Sequence, residues 1–350
     1  MIYEAPTNHP VDNRPLTREE VVWAYRIMLG REPESETAIH NALSHKTREH
    51  LLQTIMKSVE FRAWHASQPG RQPLDRPKLD IEWEAGEATL PQLLEHVSST
   101  WSSLGAERPH WSVLTMDQFL PENIDGSEDA FYGSGKGDFD RMIATLERLD
   151  RSPDEFQTLF EYGCGLGRTT LHLASRFASV VACDISSRHL ELARAKAQQC
   201  GVANVLFREA RLPDFGMLEP VDLWFCQIVL QHNSPPIIAM ILGRAMQVLK
   251  PGGVAYFQVP TYSPGYRFRV AEYLAHLPSS GMEMHVLPQR VIFEIALRAG
   301  CVPLEVSEDD ATGSPLWLSN TFVFAKPKQA TRGRRETDSP VRDWLRRVLK

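Results

Sequence analysis

The chain has 350 residues, 43% of them hydrophobic and 23% charged, with a formal net charge of −6, a balance ordinary for a globular chain of one large domain with attachments or of two domains. No run of about 18 apolar residues occurs, which excludes a membrane-spanning helix, and the opening MIYEAPTNHPVDNR has neither the basic start nor the apolar core of a secretory signal. The five cysteines (Cys164, Cys183, Cys200, Cys226, Cys301) are scattered without CxxC or CxxH spacing, so they read as reduced cytoplasmic packing residues, with no disulfide framework and no metal site.

Charge is unevenly spread. From Lys326 to Lys350 nine Lys/Arg stand against three Asp/Glu, which leaves 29 basic against 41 acidic residues in the rest. An acidic body argues against a nucleic-acid partner, because neutralising phosphate charge dominates such binding.

In chain order, residues 1–68 read as a small all-α module. Thr17 to Glu20 form a capping box, and Val21, Val22, Tyr25, Met28 and Leu29 follow at helical spacing before Gly30 and Pro33 break the helix. A second helical pattern runs over 47–64, with Leu51, Leu52, Ile55, Met56, Val59 and Phe61 mostly on one face. The combination AYRIMLGREPES…MKSVEFRAW resembles a bacterial helical module of unknown function, found ahead of glycosyltransferase or methyltransferase domains in surface-polysaccharide proteins. A plain helical hairpin without a ligand is the alternative. Residues 69–108 begin rich in Pro, Gly and charge and are expected to be a linker.

A domain is expected over 109–328. FYGSGKGDFDRMIATLERL (131–149) precedes the sheet and looks like an N-terminal helix of the kind that closes over a bound cofactor, with Tyr132 and Gly135 as expected contacts. Strand-like runs then alternate with helical patterns: QTLFEYG, SVVACDI, NVLFREA, VDLWFCQI and GGVAYFQVP, with helices near 168–177, 187–200 and 236–249. That alternation predicts a doubly wound, mostly parallel α/β sheet covered on both faces. PQRVIFEIALRAG adds a helix, and PLEVSED and SNTFVFAKP add two late strands, making seven.

The stretch Gly163-Cys164-Gly165-Leu166-Gly167-Arg168 lies where a nucleotide-binding loop would follow the first strand. Glycines there let backbone approach a ligand or take positive φ. Two cofactors fit so far, a nicotinamide dinucleotide and S-adenosylmethionine. A dinucleotide fingerprint wants a third glycine where Arg168 stands. EYGCGLG instead resembles motif I of class I S-adenosylmethionine-dependent methyltransferases, with Glu161 at the acidic position. ACDIS resembles their second-strand end, where Asp184 would accept hydrogen bonds from both ribose hydroxyls and Ile185 would pack on adenine; a helix-start acid is the plainer reading of Asp184. LKPGG before the fifth strand is a further hallmark of that family and is foreign to dinucleotide folds. The resemblance covers about 156–326 and implies a Rossmann-like seven-stranded methyltransferase sheet. It also implies S-adenosylmethionine as cofactor, held by Gly163, Cys164, Gly165 and Gly167, with Ala210, Arg211 and Leu212 at the adenine edge and Gln227 and Ile228 at the fourth strand end.

Methyl transfer to oxygen needs in-line alignment and a base for the hydroxyl proton. His232, just after the fourth strand, is the leading candidate, set against a packing histidine; an unperturbed pKa near 6.5 would suit the task. Glu283 and His285, two apart, are the substitute pair. Tyr262, Tyr266 and Arg267 fall in the insertion after the fifth strand, where an acceptor pocket is expected. The whole reads as a cytoplasmic methyltransferase whose acceptor is a sugar hydroxyl in polysaccharide or glycolipid biosynthesis. A small-molecule O- or N-methyltransferase and a silent cofactor-binding scaffold are the rivals. In the tail, 329–350, Ser339 and Pro340 open a helical pattern with Val341, Trp344, Leu345, Val348 and Leu349 on one face. Such a helix can lie on an anionic membrane surface, dock on a partner protein, or pack on its own domain.

Overall fold

The computed structural model describes residues 15–45, 47–61, 63, 76–278, 281–314 and 317–328; the expected tail helix lies outside them. The chain divides into two compact units, one chiefly up to Pro77 and the other chiefly from Lys78 onward.

The first unit is helical. Helices α1 (Arg18–Leu29), α2 (Glu36–Leu43) and α3 (Arg48–Lys57) begin at Thr17, Ser35 and Thr47, whose hydroxyls each accept a backbone N–H of the first turn. The Thr17/Glu20 capping box is present, and Gly30 ends α1 in the left-handed region at φ 68°. Val21, Leu29, Ile39, Ala42, Leu51 and Ile55 form its core. Helix α2 has no counterpart among the expected elements. Its eight residues, close behind Pro33, are too few to show a helical period.

The second unit is built on a seven-stranded sheet in the order β4-β3-β2-β5-β6-β9-β8. The strands are β2 (Thr158–Tyr162), β3 (Ser179–Asp184), β4 (Val205–Glu209), β5 (Val221–Cys226), β6 (Leu249–Tyr262), β8 (Val302–Asp309) and β9 (Leu318–Ala325). All neighbours pair in parallel up to β6; β9 runs antiparallel between β6 and β8. Side chains alternate across each strand. Phe160, Tyr162, Trp224 and Phe257 enter one core with helices α9 (Pro235–Val248) and α10 (Gln289–Arg298). Leu159, Leu223, Phe225 and Tyr256 enter the other, with α6 (Glu128–Arg148) and α7 (Thr170–Arg176). Helix α8 (Ser187–Gln199) follows β3. The strand order reverses between β2 and β5, and ligand crevices open at the carboxyl ends of such a pair.

Residues 80–107 correct the expected linker. Asp80–Ile81 form a short strand β1 pairing in parallel with β7 (Arg267–Phe268). Leu90–Glu107 form the 18-residue helix α4, continued by the short α5 (Pro109–Val113). The composition of 66–90 masked a helical period that starts at its end: Leu93, Leu94 and Val97 are buried. Gly105 of α4 lies against α8 so closely that a Cβ would come within 2.5 Å of Ser186 Oγ.

The Lys250-Pro251-Gly252-Gly253 turn sits at the amino ends of the strands. Lys250 Nζ donates to Asp222 Oδ2 at 3.0 Å and to Thr158 Oγ1 at 3.1 Å, tying the starts of β2, β5 and β6 together. A Cβ on Gly253 would meet Lys250 O at 2.9 Å and Asp222 O at 3.0 Å. The turn is therefore a structural clasp at the end opposite the crevice. No helix among the described residues is long and apolar enough to cross a membrane.

Candidate active site

At the carboxyl ends of β2 and β5 a cavity opens. The glycine loop after β2 supplies Gly163, Cys164 and Gly165; β3 ends on Asp184, with Ile185 next; the chain after β5 supplies Gln227, Ile228, Val229, His232 and Asn233. Val97 and Trp101 of α4, with Ser112 and Val113 of α5, complete the wall. The stretch read as linker and its continuation thus roof the site.

The loop glycines have a local reason. Gly163, Gly165 and Gly167 all take positive φ (77°, 52° and 83°), the region an L side chain avoids. A Cβ on Gly163 would fall 2.3 Å from Val229 Cγ2, and one on Gly165 2.9 Å from Val113 Cγ2. The loop is held by the neighbouring strand: the N–H groups of Gly163 and Cys164 donate to Cys183 O at 2.7 and 2.9 Å. Asp184 accepts Gly165 N–H on Oδ2 at 2.8 Å and Ser186 N–H on Oδ1 at 2.9 Å. Each carboxylate oxygen has capacity for a further hydrogen bond, and Asp184 lines the cavity. The helix cap itself is Ser186, whose hydroxyl accepts His189 N–H. Gly167 is conformational only; Ala193 lies behind it.

Glu161, at the end of β2, accepts the Thr170 hydroxyl at 2.5 Å. Burial pushes its pKa up, against the Thr170 hydrogen bond and the Arg168 charge, to about 8. Arg168 forms a buried ion pair with Asp138 of α6. Gly135, on the same helix, explains why α6 can lie on the loop: a Cβ there would stand 2.1 Å from Arg168 O. Gly135 thus contacts backbone of the loop rather than the cavity.

Ile228 adopts φ 56°, strained for a β-branched residue. Its N–H donates to Gln258 Oε1 at 3.1 Å, while Gln258 Nε2 donates to Gln231 Oε1 at 3.2 Å and to Ser319 Oγ at 2.7 Å. Gln227 Oε1 is buried without a hydrogen-bond partner. A group of that kind awaits a donor.

His232 lines the cavity. Its Nδ1 lies 2.9 Å from Glu283 O, and its Nε2 lies 3.4 Å from Gln231 Nε2. Because Gln258 fixes the Gln231 oxygen, both contacts assign the proton to Nδ1 and leave Nε2 the acceptor. The Trp101 ring meets the imidazole edge-on at 5.2 Å. Burial lowers the His232 pKa to about 4, only partly offset by the Glu283 carbonyl, so the ring is neutral at physiological pH and less basic than an open histidine.

Glu283 and His285 meet His232 in space but do not line the cavity. Glu283 Oε1 lies 2.6 Å from His96 Nε2 and accepts the Tyr273 hydroxyl at 3.0 Å; Oε2 lies 3.3 Å from His285 Nε2. Burial alone would raise its pKa, yet the hydrogen bonds of His285 and His96 reverse this and hold it at about 2. His285 Nδ1 faces the Tyr266 hydroxyl at 2.8 Å. It does not line the cavity, so it is placed to hold a loop rather than to take a substrate proton.

Besides Gly135, five expected cofactor contacts lie away from the cavity lining. Ala210 is buried, its N–H bonded to Asp184 O. Arg211 is exposed and paired with Glu209 at 2.7 Å. Leu212 packs on the main core. Tyr132 packs with Phe119, Phe131 and Leu166, under the Lys196 ammonium. Gly167 is the fifth. Arg267, expected near an acceptor, is bound to Asp80 and Glu272. Sequence reading missed Trp101, Ser112 and His189. His189 Nε2 lies 3.0 Å from Ser112 Oγ, and its Nδ1 lies 3.7 Å from Asp184 Oδ1. The helical spacing of Leu93, Val97 and Trp101 was the available signal. Among the described residues no group of three or more His, Cys, Asp or Glu side chains is arranged to hold a metal.

Residues 159–253 match the sequence profile of a family described as a methyltransferase domain. The chain is 29% identical over 128 residues to a ubiquinone biosynthesis O-methyltransferase of Acinetobacter baylyi, covering 35% of this chain and 53% of that one. It is 30% identical over 135 residues to a tRNA 5-carboxymethoxyuridine methyltransferase of Escherichia coli, 35% of this chain and 49% of that one. The chain therefore spans about half the length of these curated relatives. Among solved structures, a magnesium protoporphyrin IX methyltransferase from Synechocystis with bound SAH is similar at a TM-score of 0.48 and 18% identity, covering 67% of this chain and 99% of that one. That likeness is too loose to add to the sheet order itself. The profile match falls on the glycine loop, Asp184 and the strands that carry them, so residues 159–253 are similar to a methyltransferase domain.

Proposed function

We propose that the chain is an O-methyltransferase that binds S-adenosylmethionine over the glycine loop and uses His232 to accept the proton of an acceptor hydroxyl. The observation that carries this reading is the convergence of Gly163, Gly165, Asp184, Gln227 and His232 on one cavity at the switch point of the sheet. The residues suit the cofactor. The loop gives a cradle that a Cβ would obstruct, Asp184 offers two acceptor oxygens for a ribose diol, and Gln227 Oε1 offers an unused acceptor. When bound, S-adenosylmethionine supplies an electrophilic methyl group. The protein's part would be to orient the acceptor, exclude water beneath α4 and α5, and take the hydroxyl proton on His232 Nε2, which gives up its 3.4 Å contact with Gln231 as the methyl group leaves sulfur for the acceptor oxygen.

Val97, Trp101 and Val229 stand among the cavity walls with His232, which suits an acceptor with an apolar or ring face beside its hydroxyl. The helical-module resemblance favours a sugar hydroxyl of a polysaccharide or glycolipid precursor. The curated relatives instead carry names from ubiquinone biosynthesis and tRNA modification, so the acidic body does not by itself exclude a nucleic-acid acceptor. Sugars, phenols and tRNA are the arms of the acceptor screen.

Calorimetry tests the cofactor. S-adenosylmethionine should bind and NAD should not, and Asp184→Ala should lose about 1.5–3 kcal/mol of affinity, the range for hydrogen bonds to a charged group. Tight NAD binding, or binding of neither, overturns the assignment. Once an acceptor is found, His232→Ala should cut turnover by about 10²–10⁴ with cofactor affinity nearly unchanged; full turnover removes His232 from the chemistry.

A further inference from the structure

Helix α4 carries two residues that reach His232 by separate routes. Trp101 touches it directly, ring edge to ring, at 5.2 Å. His96, on the same helix, acts through an intermediary: its Nε2 is 2.6 Å from Glu283 Oε1, and the backbone oxygen of that same glutamate receives the His232 Nδ1 proton at 2.9 Å. The remaining contacts of Glu283 lie on its own side of the fold. Tyr273 donates to it at 3.0 Å, and His285 stands 3.3 Å away with its other nitrogen against Tyr266. The loop carrying Glu283 is pinned once more where His285 N–H donates to Gln231 O at 2.7 Å. Nothing else in this network comes from α4, whose sequence precedes the sheet by some fifty residues.

We propose that His96 is a positioning residue for His232: its hydrogen bond to Glu283 sets the Glu283 carbonyl that keeps the His232 proton on Nδ1 and the acceptor lone pair on Nε2. This rests on the reading of His232 as the base, and it assigns α4 a part in the chemistry beyond roofing the cavity. The arrangement has a physical logic. An imidazole is useful as a base only in one tautomer, and the partner of the other nitrogen decides which. A backbone carbonyl on a loop holds that proton only while the loop is held. The ionised Glu283 side chain is the handle, and charge-assisted hydrogen bonds are the strong ones. His96 supplies one from the helix that also places Trp101 against the same ring.

The test needs no acceptor. Nitrogen NMR of histidine-labelled full-length protein reads the His232 tautomer and the solvent exchange of its Nδ1 proton. The wild type should show one Nδ1–H tautomer with a slowly exchanging proton. His96→Ala should bring in the other tautomer and speed exchange by about tenfold, the factor that one lost hydrogen bond of ordinary strength amounts to. His96→Gln keeps an N–H donor at the same reach and should restore the wild-type signal. Melting temperature and S-adenosylhomocysteine affinity are measured alongside. An unchanged His232 signal in His96→Ala overturns the proposal. Equal disturbance by Ala and Gln overturns it too, since His96 would then be a packing residue. A wild type that binds no S-adenosylhomocysteine refutes the functional reading, while the tautomer comparison still answers for His96.

Discussion

Glu161 should make the stability of this protein depend on pH in a direction opposite to most carboxylates. Its pKa rises from 4.5 in the open chain to about 8 when buried. Between those values the unfolded chain has released the Glu161 proton and the folded one has kept it. The contribution is therefore complete below pH 4.5 and is lost as pH climbs through 8. Each pH unit in that window costs up to about 1.4 kcal/mol, so from pH 5 to pH 8 the loss is bounded at about 4 kcal/mol, and relaxation around the charge brings it to about half. Glu161→Gln keeps the shape and an oxygen for the Thr170 hydroxyl but cannot ionise. Urea unfolding of both proteins without cofactor, at pH 5 and pH 8, isolates the term, because every other group titrates alike in the two. The variant should gain on the wild type by about 2 kcal/mol or more between the two pH values. A stability difference that does not change with pH would show that Glu161 is ionised in the fold and that the burial argument fails.

Two further outcomes follow from packing. Gly135→Ala should destabilise by about 1–3 kcal/mol or more, the range of overpacking, because the added Cβ meets Arg168 O at 2.1 Å. Gly133→Ala and Gly137→Ala, with open space around them in the same helix, should each stabilise by up to about 1 kcal/mol; thermal melts of the three variants check the contrast. Asp138→Ala strands the buried Arg168 charge, which also has an unpartnered Nε, and should cost about 3–5 kcal/mol. Asp138→Ala with Arg168→Met should recover much of that loss in denaturant unfolding, and a double variant no better than the single one would mean that the pair is not coupled.

What the sequence by itself determined is local. The alternation of strand and helix patterns dictates a parallel sheet, since β-strands joined by helices must cross over. The glycines at 163, 165 and 167 announce positive φ because no other residue takes it cheaply. Asp184 was legible by its place: it ends the next strand, after the helix that follows those glycines. His232 was legible only by position. What set its character was tertiary: the burial that lowers its basicity, and the Glu283 carbonyl that chooses its tautomer. The role of LKPGG, a clasp at the far end of the sheet, also needed the fold, because a motif marks a turn without saying which end of the sheet it closes. Ala210, Arg211 and Leu212 follow a strand of the right rank, yet whether such residues face a cavity depends on a turn direction that periodicity does not encode. The largest omission was α4. Its composition upstream reads as linker, and nothing local says that Val97 and Trp101 would line the cavity and His96 would reach Glu283. The contacts Trp101–His232 and His96–Glu283 join residues 131 and 187 positions apart, a separation over which only the packed sheet and its helices bring side chains together.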